Sequence, residues 1–476
     1  MKTIADPLYG SIHITPVESE IISTGAFQRL HNIRQLGQAY LIFPGANYSR
    51  FSHSIGALRN AGKLIAAIEK NSSPTLSQGI RDIEQKYRLA ALLHDVGHFP
   101  FSHATEHAFD SIHELMGINS WPDKFEIVKD HEEFGEIIIN NDPQILSILE
   151  RYKISPEEIS NIFRKKTAET SEDFNLKSVI SSELDCDRLD YLRRTSHFSG
   201  LPFGNVDMDY LISSAELIDG KLCFDSKARR SADHMLIARF HDYLQIVFHK
   251  TLVSLEWSLV EAVKACVKAN TLEVSKDQLE KVIRNGEIVW FDDNQFLNQI
   301  KEAKNYYRDD GDPIKYHIEA VLKRKPAKQV FVSQRYINAC SHEIEATKPT
   351  HGRITKLVQS IVDEYCRSVG NGLQNFIKVW SVEEKFSKAR PEELCGTLDL
   401  ELIQNQEELV YMKSANENAT PLIFYPDSIV GIMARQIYSD VRVFILPIPD
   451  FERHRSNLSA KLKEAFKDEF GIEYSY

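Results

Sequence analysis

The sequence lacks several features that would assign it to a common class of protein. No apolar run reaches the length of a membrane-spanning helix, and residues 1–7 contain no apolar signal-peptide core. The six cysteines among 476 residues show no C-x-x-C spacing, so neither a disulfide framework nor a zinc site is indicated. We therefore expect a cytoplasmic chain with reduced thiols.

Positive charge is also in short supply. The chain has 57 Lys and Arg against 68 Asp and Glu, for a net charge of −11. This balance disfavours broad affinity for nucleic acid or for a membrane, but it leaves room for a small anionic ligand where basic residues converge. It also suits a metal site built from carboxylates. Hydrophobic residues make up 42% and charged residues 26%, which is ordinary for a folded chain and excludes overall disorder.

Hydrophobic periodicity predicts a mainly helical chain. A capping box at Thr15–Glu18 starts a helix that should run to about residue 37. Further helices are predicted over residues 51–70, 80–95, 125–141, 156–165, 178–196, 231–270 and 457–470. Extended segments are predicted over residues 40–45, 397–402, 409–413 and 441–446, and a hairpin near residues 217–224. We therefore predict a helical core over residues 1–345 and a smaller α+β region over residues 346–476.

Histidine is concentrated in one segment, because five of the 17 histidines lie between residues 94 and 113. His94 and Asp95 close an apolar helix that ends in Leu89–Leu93. An imidazole beside a carboxylate at a buried helix end is costly unless something binds it, and the pair offers nitrogen and oxygen ligands to a divalent ion. The alternative is a histidine that is merely favoured by the dipole at a helix C-terminus.

Two more segments supply matching ligands. His53 begins a second predicted helix, and Asp187 lies four residues before Tyr191 on one face of a third. Three helices could therefore bring His53, His94, Asp95 and Asp187 to one metal ion. Asp185, in contrast, is interpreted as a solvated acid.

These residues resemble the H…HD…D signature of the HD phosphohydrolase superfamily. Further motifs match, in order, the deoxynucleoside triphosphate triphosphohydrolases, a group that includes bacterial dNTPases and the vertebrate SAM-and-HD-domain enzyme. The motifs are Asp6–Gly10, Phe27–Leu30, Gln35–Gly37, Phe43–Ala46, Arg50–Ser54 and His94–His103. The resemblance is strong over roughly residues 1–260 and implies an HD-domain helical core, without a SAM domain.

The resemblance implies a metal-dependent hydrolysis that attacks the α-phosphorus and releases a deoxynucleoside and inorganic triphosphate. The implied ligands of the divalent ion, which could be Mg, Mn, Fe, Zn, Co or Ni, are His53, His94, Asp95 and Asp187. The implied catalytic residues are His98, His103, Glu106 and His131. We expect His103 to protonate the leaving 5′ oxygen and Glu106 to orient it, since a histidine suits proton transfer near neutral pH.

The resemblance also implies a set of substrate contacts. The phosphates would be bound by Arg50, Arg188, Arg239 and Lys250, with Glu132 on the triphosphate side. Tyr191 would pack on the sugar, Gln35 and Leu36 would crowd its 2′ position and read its 3′-hydroxyl, and His197 would contact the sugar or base. Thr195 stands where relatives often have aspartate, which weakens the expectation for sugar selectivity. For each of these residues the alternative is an ordinary core or surface position.

The implied partners are a dNTP substrate, further copies of the chain in a dimer to hexamer, and an activating nucleotide between subunits that would involve Asp6. Two other functions compete with this one. The first is another HD phosphohydrolase that acts on nucleoside monophosphates, cyclic dinucleotides or nucleic-acid ends, and Thr195 leaves it open. The second is a non-catalytic nucleotide sensor, which the intact ligand set argues against.

Overall fold

The computed structural model describes residues 2–116, 126–164, 176–339, 350–370, 372–389, 409–414 and 416–472. The strand predicted over residues 397–402 lies outside these ranges. Within them, no helix is both long and apolar enough to cross a membrane. Four cysteines fall in the described part, and all are buried with free thiols: Cys186, Cys223, Cys266 and Cys366.

Helices dominate the chain, as the sequence predicts. They are α1 (Pro16–Ile22), α2 (Gly25–Gln28), α3 (Arg50–Asn71), α4 (Pro74–Leu93), α5 (His103–Leu115), α6 (His131–Asn141), α7 (Pro143–Arg151), α8 (Pro156–Phe163), α9 (Lys177–Ile180), α10 (Cys186–Ser199), α11 (Met208–Ser213), α12 (Arg229–Asp242), α13 (Lys250–Lys268), α14 (Lys276–Arg284), α15 (Asp293–Ala303), α16 (Pro313–Lys323), α17 (His351–Val369), α18 (Ile429–Met433) and α19 (Phe451–Phe470). A π-helical turn, Tyr243–Val247, follows α12 directly.

The strands form three small sheets. They are β1 (Lys2–Asp6), β2 (Gly10–Ile14), β3 (Ala215–Ile218), β4 (Lys221–Asp225), β5 (Lys328–Asn338), β6 (Ile377–Lys385), β7 (Tyr411–Lys413), β8 (Ala419–Pro421) and β9 (Gln436–Ile445). Strands β1 and β2 pair with each other, and the β3–β4 hairpin continues through β7 to β8. Strand β9 lies antiparallel between β5 and β6.

The α+β part of the chain packs α17 and α19 on the sheet of β5, β9 and β6. Val358, Val441 and Leu462 are buried in the core between these elements. The first strand of this sheet, β5, starts at Lys328, which is before the predicted boundary. It pairs with β9 at residues 436–445. The domain boundary at residue 345 stays a prediction.

Several predicted helices are shorter in the structure, because side chains end or restart them. The capping box forms, since the Thr15 N–H donates to Glu18 Oε2 at 2.8 Å and the Glu18 N–H donates to Thr15 Oγ1. Helix α1 nevertheless ends at Ile22, and Thr24 caps a separate short helix by accepting from the Phe27 N–H. The segment predicted as extended at residues 40–45 begins with a 3₁₀ turn, Ala39–Leu41, whose amides bond locally rather than to a strand.

A buried arginine pins the loop that carries the histidines. The Arg29 guanidinium is fully buried and donates to the carbonyl oxygens of Val96, His98 and Phe291 at 2.6, 3.1 and 3.0 Å. Burial lowers the pKa of Arg29 to about 9, so the group still carries its charge at neutral pH. Through Arg29, the Phe27–Leu30 motif thus fixes the backbone around His98.

The start of α6 lies directly against this loop, and the contact depends on Gly97. A Cβ on Gly97 would lie 2.1 Å from both the Gly135 nitrogen and the His131 oxygen, which are backbone atoms that cannot rotate away. The missing side chain lets α6 bring His131 up to the histidine-rich loop.

We predict that Gly97→Ala lowers the free energy of unfolding by about 1–3 kcal/mol or more, because α6 must move to admit the methyl group. Thermal and urea unfolding measure this effect. Gly352→Ala on α17 is the matched control, since its Cβ would meet nothing within 4 Å. The control should be neutral or stabilising by up to about 1 kcal/mol. Equal stability of the two variants would contradict the prediction.

Candidate metal centre and catalytic cavity

One cavity of about 400 Å³ gathers most of the predicted site residues. It lies where α3, α10 and the start of α6 meet the loop between α4 and α5. The predicted residues that line it are Gln35, Leu36, Arg50, His94, Asp95, His98, His103, His131, Glu132, Asp187, Arg188 and Tyr191. His53 and Glu106 lie directly behind this lining, in contact with it.

The four predicted metal ligands converge at one side of the cavity. His53 Nε2 lies 3.0 Å from Asp187 Oδ1 and 3.5 Å from Asp95 Oδ2. His94 Nε2 lies 3.3 Å from Asp95 Oδ1 and 3.9 Å from Asp187 Oδ1. Helix α3 carries His53, the end of α4 carries His94 and Asp95, and the first turn of α10 carries Asp187, as the sequence predicts.

Both histidines are oriented through their other ring nitrogen. His53 Nδ1 bonds to Asp190 Oδ2 at 2.9 Å, and His94 Nδ1 bonds to the Ala91 oxygen at 2.8 Å. These acceptors hold a proton on Nδ1 and direct Nε2 toward the carboxylates, so that Nε2 would supply the lone pair to a bound ion. In both residues Nε2 is buried and makes no well-directed hydrogen bond. Two buried nitrogens that face two carboxylates in this way are the donor arrangement that a divalent ion needs.

The electrostatics favour a cation at the same point. Burial acts against protonation of His53, but the carboxylates of Asp187 and Asp190 outweigh it and raise its pKa to about 10. His53, His94 and Asp95 offer ligand atoms that all lie within 4.8 Å of one another. The cluster therefore fits a bound metal ion, whose charge would offset these carboxylates.

A buried network supports His53 from behind. Asp190 receives two hydrogen bonds from Arg194, from Nε at 2.8 Å and from Nη2 at 2.9 Å. Arg194 Nη1 also donates to Asp6 Oδ2 at 3.0 Å. No sequence motif marked Asp190 or Arg194, although their four-residue spacing on one predicted helix was a usable signal for an ion pair. Asp6, which the resemblance connects with an activating nucleotide, is here an internal partner of Arg194.

Asp95 links the metal cluster to an arginine and to a further histidine. Its Oδ2 accepts from Arg50 Nη1 at 2.5 Å, and its Oδ1 lies 3.2 Å from His98 Nε2. Burial opposes ionisation of Asp95, yet the Arg50 guanidinium and the neighbouring histidines hold its pKa well below the usual value. Asp95 is therefore a carboxylate throughout the neutral range.

A second cluster lies beside the first and is organised by Glu106. Its Oε2 bonds to His103 Nδ1 at 2.8 Å, and its Oε1 bonds to His131 Nδ1 at 2.7 Å. Burial raises the pKa of Glu106, but the two histidine hydrogen bonds outweigh it, so that the net shift is downward. One ionised carboxylate thus orients two imidazoles, and in each the Nε2 atom stays free of this carboxylate.

The three histidines of this cluster differ in accessibility. The side chain of His103 is 62% exposed, that of His131 is 22% exposed and that of His98 is 2% exposed. The His98 ring stacks on His131 with centroids 3.9 Å apart. Burial and the positive charges of Arg50 and His131 keep the pKa of His98 well below its usual value. His98 is therefore neutral, while His103 can reach a ligand in the cavity.

The prediction for Asp185 is wrong, because this residue is buried and not a solvated acid. It caps α10 by accepting from the Arg188 N–H at 2.8 Å, and it holds Arg188 Nη1 at 2.7 Å. Burial raises the pKa of Asp185, and the charge of Arg188 acts in the opposite direction. The pair fixes the Arg188 guanidinium at the cavity wall.

Four predicted substrate contacts lie away from the cavity lining. Thr195 is buried and shares a 2.7 Å hydrogen bond with the Tyr48 hydroxyl. His197 is exposed and packs edge-on against Phe198. Arg239 forms a 2.9 Å ion pair with Glu384 on β6. Lys250 lines a different cleft, of about 610 Å³, together with β5 and α19.

The cavity also has lining residues that the sequence analysis missed. Asp242, Tyr243 and Val247 come from the junction of α12 with the π-helical turn, and Lys388 comes from the segment after β6. No motif marked them, because the π-helical turn and the return of the chain near residue 388 are tertiary features.

Comparison with known proteins agrees with this geometry. Residues 50–194 match the HD domain family, and this segment contains all four predicted metal ligands. Residues 50–194 therefore contain the HD domain that the sequence predicts.

Its curated relatives include proteins with and without a described activity. The chain is 29% identical to the uncharacterized protein YwfO of Bacillus subtilis, over 54% of this chain and 53% of that protein. It is 31% identical to the deoxynucleoside triphosphate triphosphohydrolase SAMHD1 homolog of Dictyostelium discoideum, over 59% of this chain and 51% of that protein. The matches thus span about half the length of these relatives.

The whole fold has a counterpart among solved structures. A hypothetical protein from Aquifex aeolicus superposes with a TM-score of 0.69 and 23% identity, over 96% of this chain and 99% of that one. At this identity the likeness concerns the fold alone, and it includes the α+β part as well as the helical core.

We predict that Asp190→Asn weakens binding of a divalent ion roughly 10- to 100-fold, because His53 loses the carboxylate that fixes its tautomer. Titration calorimetry of the metal-free protein with Mn²⁺ measures this affinity directly. The free energy of unfolding should also fall by up to about 3–5 kcal/mol, since Arg194 loses its main buried partner.

The control for this variant is Asp209→Asn. Asp209 pairs with Lys63 at 3.2 Å on the surface, where its side chain is 63% exposed. Metal affinity and stability should stay within about 0.5 kcal/mol of wild type. Wild-type metal affinity in the folded Asp190→Asn variant would show that His53 does not depend on this carboxylate.

Proposed function

We propose that the protein is a metal-dependent phosphohydrolase that converts deoxynucleoside triphosphates to deoxynucleosides and inorganic triphosphate. The observation that carries this proposal is the pair of buried, unbonded Nε2 atoms of His53 and His94, which face Asp95 and Asp187 beside a second set of histidines. The name of the Dictyostelium discoideum relative supports the choice of substrate.

The metal-binding residues would be His53, His94, Asp95 and Asp187. A bound divalent ion would supply Lewis acidity at a phosphate oxygen and would lower the pKa of a coordinated water. The chain itself holds the ligands in position, through Asp190 behind His53 and the Ala91 carbonyl behind His94.

Two arginines are suited to hold the phosphates. Arg50 is fixed by hydrogen bonds from Nε to Ser102 at 2.9 Å and from Nη1 to Asp95 at 2.5 Å. Arg188 is fixed by Asp185. Guanidinium groups that are held in this way lose little further entropy when they bind a phosphate, and they can bind it through two parallel hydrogen bonds.

Departure of the 5′ oxygen requires a proton, and His103 is suited to give it. Its Nδ1 is bound to Glu106, so the proton on Nε2 is directed away from Glu106. Glu106, whose pKa is lowered by its two histidine hydrogen bonds, stays ionised and fixes the orientation of the ring. His131 is the second candidate for this role, because it is held by the same carboxylate.

The sugar would lie against Gln35, Leu36 and Tyr191, which share the cavity with the metal ligands. A 2′-hydroxyl that finds no partner beside Leu36 would be both crowded and unsatisfied. Deoxyribose is therefore the expected sugar. Assembly into an oligomer and activation by a bound nucleotide are further parts of this proposal, and they rest on the resemblance alone.

Incubation of the protein with the four dNTPs and four NTPs, in Mg²⁺ or Mn²⁺, tests the proposed function. Chromatography should resolve inorganic triphosphate and deoxynucleoside as the products, without pyrophosphate or monophosphate. Each dNTP should exceed its NTP in kcat/KM by at least about 10-fold, because Gln35 and Leu36 are expected to crowd a 2′-hydroxyl. Release of pyrophosphate, or equal turnover of dGTP and GTP, would count against the proposal.

The general acid can be separated from the metal ligands by His103→Ala. This variant should keep its metal affinity and lose about 10²–10⁴-fold in kcat, which is the usual value of a positioned proton transfer. Hydrolysis of a bis(nitrophenyl) phosphate should fall far less, because nitrophenolate leaves without a proton.

His107→Ala is the matched control, since His107 is exposed one turn further along α5 and does not line the cavity. It should retain wild-type kinetics with both substrates. If His103→Ala loses its metal, or if the rates of hydrolysis of both substrates fall equally, His103 is not the general acid and His131 becomes the candidate.

A further inference from the structure

The cavity contains one buried carboxyl group that the proposed mechanism does not use. Asp242 ends α12 at the point where the helix changes into the π-helical turn, and it is 3% exposed. Its side chain lines the cavity, and its Oδ1 atom has no hydrogen-bond partner within the part of the chain that the structure describes. Local π-helical turns are frequent at functional sites, where they aim a side chain that a regular helix would turn elsewhere.

Among the described residues, no donor forms a hydrogen bond with Asp242 Oδ1. Burial raises the pKa of Asp242 to about 7, and the charge of Arg239 counteracts this only in part. Arg239 lies one turn before Asp242 on α12, and its guanidinium group donates instead to Glu384 on β6. A buried carboxyl without a donor is costly, so a ligand that brings a donor to it would relieve that cost.

The position of Asp242 identifies the part of the ligand that it would meet. Asp187, Tyr191 and Thr195 follow one another along α10 at intervals of one helical turn, or about 6 Å. Asp242 lines the same cavity as Tyr191, and its charge contributes to the raised pKa of Tyr191 and of Tyr48, the partner of Thr195. It therefore lies on the side of the cavity one to two turns along α10 from the metal ligand Asp187.

With the phosphates at the metal, the next part of a nucleotide along this direction is the sugar. The sugar of a deoxynucleoside triphosphate carries one free hydroxyl group, at the 3′ position. Thr195 does not line the cavity, and its hydroxyl shares a hydrogen bond with Tyr48.

We propose that Asp242 accepts a hydrogen bond from the 3′-hydroxyl of the substrate and so makes the enzyme select for that hydroxyl. This inference rests on the proposed function and adds a binding residue to the same site. The carboxyl that recognises the sugar comes from the end of α12, a helix that packs against α10.

The test compares a dNTP with the 2′,3′-dideoxynucleotide of the same base, in the wild type and in Asp242→Leu. Leucine has a similar volume and removes the unsatisfied polar group, so the variant should be at least as stable as the wild type. The wild type should prefer the dNTP by roughly 10- to 100-fold in kcat/KM, as expected for a hydrogen bond to a charged group. In Asp242→Leu this ratio should fall close to one, chiefly through a higher KM for the dNTP.

Two further variants support the comparison. Asp242→Asn keeps an uncharged acceptor oxygen, so its ratio should be intermediate, and it serves if the leucine variant fails to fold. Glu256→Gln is the control for losing a buried acid, because burial also raises the pKa of Glu256 to about 7 and Glu256 does not line the cavity. Its ratio should equal that of the wild type.

The possible failures are distinguishable. If the wild type hydrolyses dNTPs but shows no preference over dideoxynucleotides, or if both Asp242 variants keep the full preference, the role of Asp242 is refuted and the proposed function stands. If the wild type hydrolyses no dNTP, the proposed function is refuted, and the substrate assigned to Asp242 is refuted with it.

Discussion

The carboxylate of Asp190 is the contact on which the rest of the site depends. It joins His53 on α3 to Arg194 on α10, and through Arg194 it reaches Asp6 at the end of β1. All of these groups are buried, so loss of one partner would leave an uncompensated charge. The approach of the two helices requires Gly56, one turn after His53, because a Cβ there would lie 1.8 Å from Asp190 Oδ1. The same contact therefore sets the packing of α10 on α3 and the direction of the metal-facing nitrogen.

The acids of the cavity have separate tasks because each has a different partner. Asp95 and Asp187 face the two free imidazole nitrogens, whereas Glu106 binds Nδ1 of two other histidines. Asp185 positions Arg188. Asp242 alone among these acids has a buried oxygen without a partner in the described chain. An acidic protein of net charge −11 thus keeps guanidinium groups at the cavity wall, because its carboxylates hold them in position.

The α+β part of the chain helps to close the site formed by the helical core. Lys388, which follows β6, lines the cavity, and its backbone N–H donates to Glu183 just before α10. Glu384 on β6 holds Arg239 beside Asp242. The wall that would face the nucleoside therefore depends on residues nearly 150 positions apart, and the α+β part is a structural component of the site.

Local sequence determined the elements of the site whose partners are close in the chain. The His94-Asp95 dipeptide at the end of an apolar helix, the capping box at Thr15 and the hairpin near residue 217 each depend on neighbours within a few residues, so their patterns were legible. The order of the motifs was enough to identify the HD domain and the four candidate metal ligands.

Tertiary structure decided the rest, because the burial of a side chain depends on which residues pack against it, and many of these lie far along the chain. Asp185 looked like a surface acid, because its hydrogen-bond partners Ser182 and Arg188 are close in the chain but its burial is set by the packed core. Thr195 shares a hydrogen bond with the hydroxyl of Tyr48, 147 residues away, which no local pattern indicated. Asp242 had no sequence signal at all, since only the π-helical turn and the meeting of α12 with α10 bring its carboxyl into the cavity.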